Sequence, residues 1–185
     1  MWRDDSEKSK KIKCLNSAIG TYDLCRCYLK YDINYYYFYI LDHNEKRFLG
    51  VKEEDFLLDG FHIRKISDIK KVEFKDDLCV KINREKKLLN DVIKPDIDLS
   101  SWKAVFKSLK KLNGFLIIQN EYPDKKENFF YLGVIEKAKR SSVLFRPVDA
   151  DGVWFDTIEI PYSKITGVTF GDRYSKAFQE YLSRT

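Results

Sequence analysis

The chain has 185 residues with 34 Lys+Arg against 29 Asp+Glu, a net charge of +5, and is 44% hydrophobic, 34% charged and 15% aromatic. That length suits one ordinary domain or two small ones, and the composition is that of a globular chain with a heavily charged surface. The near balance of charge argues against a dedicated nucleic-acid binder, and no apolar run reaches membrane-spanning length.

The opening Met1-Trp2-Arg3-Asp4-Asp5 lacks the apolar stretch of a signal peptide, so a cytoplasmic location is expected. Cys14, Cys25, Cys27 and Cys79 are then expected as reduced thiols, because neither a second close pair nor nearby histidines complete a zinc site. No metal or cofactor is expected.

In chain order, Ile12 and Leu15 mark a weak opening helix. Residues rich in Tyr, Phe, Val and Ile predict strands near 19–28, 35–42, 47–52, 61–66 and 69–74. The segment 78–89 reads either as a helix or as a strand followed by a helix. Residues 90–99, with Pro95, read as a connection. Ser100-Ser101 then offers an N-cap, and Trp102, Val105, Phe106, Leu109 and Leu112 form one helical stripe ending at Asn113-Gly114. Five strands are predicted at 115–121, 129–136, 142–148, 154–160 and 165–170. The turns between them fall at Pro123-Asp124, 137–140, Asp151-Gly152 and 161–164. A last helix over 173–182 carries Tyr174, Phe178, Tyr181 and Leu182 at helical spacing.

The two halves match at a shift of 94 residues. Gly20 falls on Gly114, Tyr28 on Tyr122, Asn34 on Asn128, Tyr37 on Tyr131 and Lys52 on Arg146. After a two-residue insertion, Ser67, Ile69, Val72, Phe74 and Asp76 match Ser163, Ile165, Val168, Phe170 and Asp172. A tandem duplication follows, with a first copy over 1–89, a connection over 90–99 and a second copy over 100–185. The expected fold is mainly β (α+β): two small five-stranded barrels, each with a short helix before and after. A helix followed by five strands is the order of an Sm-like barrel, and an SH3-like barrel shares the strand order. A pair of open antiparallel sheets packed by the helices is the alternative.

The ending Asp149-Ala150-Asp151-Gly152-Val153-Trp154, followed by Ile160-Pro161-Tyr162-Ser163-Lys164-Ile165 and Phe170-Gly171-Asp172-Arg173-Tyr174, resembles a recurrent C-terminal signature of small bacterial proteins of unassigned function. That resemblance implies no activity. The loops that hold the RNA site in Sm proteins read Asp42-His43-Asn44 and Glu136-Lys137-Ala138, then Ser67-Asp68 and Ser163-Lys164, without the Arg-Gly such a site needs.

No catalytic residue is assigned. His43 lies in a hairpin turn and His62 in a strand, and neither has a counterpart in the other half. Ser67 and Ser163 recur, which turn hydrogen bonding explains. The strongest surface signal is Tyr35-Tyr36-Tyr37-Phe38-Tyr39. Alternation places Tyr36, Phe38 and Ile40 on one strand face and Tyr35, Tyr37 and Tyr39 on the other. Matching at 94 equates the first face with Phe130, Leu132 and Val134, read as core, and leaves the tyrosine row facing away from it. The row packs under a helix, anchors a protein partner, or stacks bases with Arg26, Lys30 or Lys46 on phosphates. The candidate partner-binding residues are Tyr35, Tyr37, Tyr39, Lys46, Lys137, Lys139 and Arg140. The expected function is a non-enzymatic binding or regulatory protein that contacts another protein. Single-stranded nucleic acid and an unrecognised enzyme are the alternatives, and no membrane contact is expected.

Overall fold

The computed structural model describes residues 2–31, 35–122 and 128–183, with side chains from residue 7 onward. The expected turn at Pro123-Asp124 and the residue Asn34 lie outside them. The chain divides into two compact units, Met1–Lys94 and Pro95–Thr185. Each is mainly β with helices at its ends.

The first unit runs α1 (Trp2–Ala18), β1 (Leu24–Leu29), β2 (Tyr35–His43), β3 (Arg47–Glu54), β4 (Leu57–Lys65), a 3-10 turn (Ile66–Asp68), β5 (Ile69–Lys75) and α2 (Leu78–Glu85). Its strands order as β5-β1-β2-β3-β4, and the ladders are antiparallel. The second unit runs α3 (Trp102–Lys111), β6 (Leu116–Asn120), β7 (Phe129–Ala138), β8 (Ser142–Val148), β9 (Ile158–Pro161), a 3-10 turn (Tyr162–Lys164), β10 (Gly167–Phe170) and α4 (Arg173–Leu182). Its order, β10-β6-β7-β8-β9, is again antiparallel. The element sequence and the strand order are the same in both.

Local chemistry accounts for the elements. Ser101 caps α3 by accepting from the Ala104 amide at 3.0 Å, and Asn113 leaves the helix at φ 50°. Asp77 caps α2 by accepting from the Cys79 and Val80 amides, which resolves the ambiguous segment 78–89 in favour of a helix. Asp172 caps α4 through the Ser175 amide. Strands β3 and β4 are longer than expected because the acidic stretch Glu53-Glu54-Asp55 is not a loop. Glu54 pairs with Leu57, leaving Asp55 and Phe56 as a two-residue turn at φ 50° and 65°. A phenylalanine with positive φ is strained, and the Glu53 carboxylate holds it by accepting from the Phe56 amide at 2.9 Å. In the second unit the strand expected at 154–160 shortens to β9, with Trp154 making an isolated bridge to Val148.

Each sheet packs helices on both faces, though part of one face stays open. In the first unit α1 packs on β2 and β5, and Phe38, at the centre of the even-numbered face of β2, meets Phe48 and His62 at ring-centroid distances of 5.5 and 5.4 Å. On the odd-numbered face, Leu24, Tyr39 and Val51 form a second cluster with Val80 of α2. In the second unit α3 packs on β7 and β8, while Ile117, Leu132 and Val148 cluster with Phe178 and Leu182 of α4. Leu132 thus occupies under α4 the place that Tyr39 occupies under α2.

This corrects the matching of faces read from the sequence. The face of Phe130, Leu132 and Val134 corresponds to the tyrosine face, not to that of Phe38. The separation between the corresponding β2 and β7 residues is odd, and a shift of one residue exchanges the faces of a strand. The matches Tyr28 to Tyr122 and Lys52 to Arg146 slip likewise. Tyr28 lies opposite Tyr35, whereas Phe129 lies opposite Asn120, and Lys52 faces Phe38 whereas Arg146 faces Val134.

Candidate interaction face

Strand pairing builds the tyrosine face as a lattice across β5, β1 and β2. One row is Lys71, Tyr28 and Tyr35, and the next is Glu73, Arg26 and Tyr37. A third has Lys75 opposite Leu24, with Tyr39 packed on Leu24. Val80 of helix α2 packs on the third row, and Tyr37 of the second row borders that cluster. Tyr39 is accordingly 1% exposed, Tyr37 half-buried and Tyr35 44% exposed. Tyr39 belongs to the core, where its hydroxyl accepts from the Asn83 amide nitrogen at 3.0 Å.

The open rows are knitted together. Arg26 lies 4.9 Å from the Tyr35 ring centre and 5.6 Å from that of Tyr37, and donates to the Tyr37 hydroxyl at 3.3 Å. Tyr35 meets Tyr28 and Tyr37 edge-on at 5.5 and 5.1 Å. Glu73 accepts from Arg26 at 3.2 Å and from the Tyr28 hydroxyl at 3.0 Å, and also pairs with Lys71. Lys75 sits 4.2 Å from the Tyr37 ring centre and pairs with Asp77 at 3.2 Å.

The electrostatics follow from these contacts. Hydrogen bonding to Lys71 first, then to Tyr28, holds the Glu73 carboxyl below its ordinary range. At Tyr37 burial raises the phenol, but hydrogen bonds with Tyr35, Arg26 and Lys75 outweigh it and leave the group lowered. Tyr35, hydrogen-bonded to Tyr37, moves the other way. Beside the lattice, Tyr35, Tyr36 and Tyr37 line a cleft of about 390 Å³ that also holds the Lys52–Glu54 pair, Asp55, Phe56 and Lys75.

The other candidate residues do not join this face. Lys46 is exposed at the β2–β3 turn, where its amide donates to Asn44 at 2.8 Å. Lys139 is paired with Glu159 at 2.7 Å, and Arg140 is exposed at the β7–β8 turn. Lys137 lies beside Lys107, Lys110 and Lys111 of α3. Sequence reading missed Tyr28, Lys71, Glu73 and Lys75. The alternation Lys71-Val72-Glu73-Phe74-Lys75 was a legible sign of a polar strand face, but its pairing with β1 spans over 40 residues.

The two histidines make separate contacts. His43 bridges Asn16 at 2.9 Å and the Asn44 carbonyl at 3.1 Å, tying the hairpin to α1. His62 is buried against Phe38, and burial, followed by the Arg64 and Lys52 charges, lowers its imidazole to about 3. It is neutral near pH 7. Ser67 donates to its neighbour Asp68 at 3.3 Å.

The corresponding rows of the second unit are different. Thr169, Ile117 and Leu132 lie where Lys75, Leu24 and Tyr39 do, and the next row is Gly167, Gln119 and Phe130. Phe130 is 53% exposed and meets Tyr174 of α4 edge-on at 6.1 Å. The Arg26–Glu73 lattice is a property of the first unit. Among known proteins, no family model, no curated protein and no solved structure matches this chain.

Proposed function

We propose that the protein is a non-enzymatic, cytoplasmic binding module that recognises another protein through the lattice of Arg26, Tyr28, Tyr35 and Tyr37. The observation that carries this reading is that the exposed Tyr35 ring sits on a half-buried Arg26, which Glu73 holds in place together with Tyr28. Tyr and Arg dominate the energetics of protein interfaces, and side chains ordered beforehand lose less entropy on binding. The common element sequence and strand order of the two units support a tandem duplication of an Sm-like or SH3-like barrel, in which only the first copy carries the lattice.

Single-stranded nucleic acid is the second reading, favoured by the exposed Tyr35 ring beside Arg26. Against it, a phosphate would have to displace Glu73 from both Arg26 and Lys71.

The test is capture of partners from native lysate by the wild type and by Tyr35→Ala/Tyr37→Ala, with circular dichroism to verify folding. A specific partner lost by the double variant is expected. Retention of every partner by a folded double variant would remove the face from the account. A shift of single-stranded RNA or DNA at low salt that Arg26→Ala abolishes would favour the second reading.

A further inference from the structure

The second unit carries a separate charged surface that the tyrosine lattice does not involve. Lys107, Lys110, Lys111 and Lys137 line a shallow depression of about 500 Å³, with Ala138 as the remaining lining residue. Three of these lysines come from α3, whose sequence Trp102–Lys111 contains no acid, and the fourth from the end of β7. Lys103, also exposed, extends the row one turn back along the helix.

Lys52, Lys71, Lys75, Lys94 and Lys139 each pair with a carboxylate. Among the described residues, Lys103, Lys107, Lys111 and Lys137 have no carboxylate partner, and Lys110 donates to the backbone carbonyl of Glu136. Exposed lysines of the first unit such as Lys46, Lys70 and Lys81 also lack a carboxylate partner among the described residues, so what distinguishes this surface is the gathering of lysines on α3 and the end of β7. The Glu136 carboxylate is the nearest acid along the chain and is exposed. The alkyl stems of these lysines line the depression and leave the ammonium groups in solvent, where an anion laid across them gains attraction without displacing a carboxylate.

We infer that this surface binds an extended acidic segment of a partner protein. The spacing is the reason. Lys103, Lys107 and Lys111 follow one another four residues apart on a helix, a rise of about 6 Å per step. Alternate side chains of an extended peptide project to one side every ~6.6 Å. A strand with acids at alternate positions therefore sets one carboxylate beside each lysine, with Lys110 and Lys137 flanking the row. The lining contains no aromatic ring on which an unpaired base could stack, which disfavours single-stranded nucleic acid.

The experiment is fluorescence anisotropy on the full chain with a labelled peptide of alternating glutamate and alanine. The glutamine counterpart is the neutral control, and a short DNA duplex is the competing polyanion. We expect the glutamate peptide to bind at about 50 mM salt and to weaken markedly at about 200 mM. Lys107→Ala/Lys111→Ala/Lys137→Ala should weaken it by about tenfold or more, and the glutamine peptide should not bind. The replaced side chains are exposed, so the variant keeps its fold, which circular dichroism verifies. Equal binding by wild type and triple variant, or no binding by the wild type, overturns the inference. Tighter binding of the duplex through the same lysines overturns the choice of an acidic peptide.

Discussion

Tyr35 and Tyr39 are four residues apart on the same strand face, and their surroundings give them opposite roles. The Tyr39 hydroxyl is the partner of the buried Asn83 amide, so Tyr39→Phe leaves a buried donor unsatisfied at a cost of about 1–3 kcal/mol. Tyr35→Phe should change stability by less than ~0.5 kcal/mol, because that ring is part-exposed and its hydroxyl faces solvent and Tyr37. Urea unfolding of the two variants checks the contrast, and equal losses would contradict the separation into core and surface. The identity of these side chains was plain from the run Tyr35-Tyr36-Tyr37-Phe38-Tyr39, and so was their alternation. Their exposure was not, because it depends on how far α2 reaches over the sheet.

Strand parity is the decisive quantity at the scale of elements. Alternation within β2 was legible, whereas the correspondence of β2 with β7 required the ladders, since an odd shift leaves both segments equally apolar. Gly133 shows how tightly the ladders constrain the sequence. A Cβ there would collide with the Arg146 carbonyl oxygen and stand 2.8 Å from the Pro147 Cα, both backbone atoms of β8. Gly133→Ala should therefore force the β7–β8 pair apart and destabilise the protein by about 3 kcal/mol, at the upper end of overpacking costs. Thermal unfolding measures it, and a variant as stable as the wild type would mean that the strands relax freely. Helices α3 and α4 were readable to within a residue or two because their caps and stripes are local. The two-residue turn at Asp55-Phe56 was not, because it lacks the usual asparagine or glycine and relies on the Glu53 carboxylate.

For the whole molecule, His62 couples folding to acidity. Its folded value of about 3 lies below the ordinary 6.5, so between those limits the unfolded chain binds a proton that the folded chain does not. The contribution of the neutral imidazole is complete above about pH 6.5 and is lost as pH falls towards 3. Between pH 6 and pH 4 the wild type should lose about 1.4 kcal/mol per pH unit more than a folded His62→Gln variant. Urea unfolding across that range tests the slope, and parallel curves for the two proteins would refute the burial of a neutral histidine.

The sequence by itself determined the β-rich character, helices α3 and α4, the recurrence of the same element order and the alternation that puts Tyr35 and Tyr37 on one strand face. These are local matters, written in periodicity, capping residues and composition. Only the tertiary structure decided which strand faces correspond, that Tyr39 is core while Tyr35 is surface, and that Arg26 meets Glu73 while Lys137 meets the lysines of α3. Each of these depends on groups far apart in the chain, and a pairing register can move by one residue without altering any local preference.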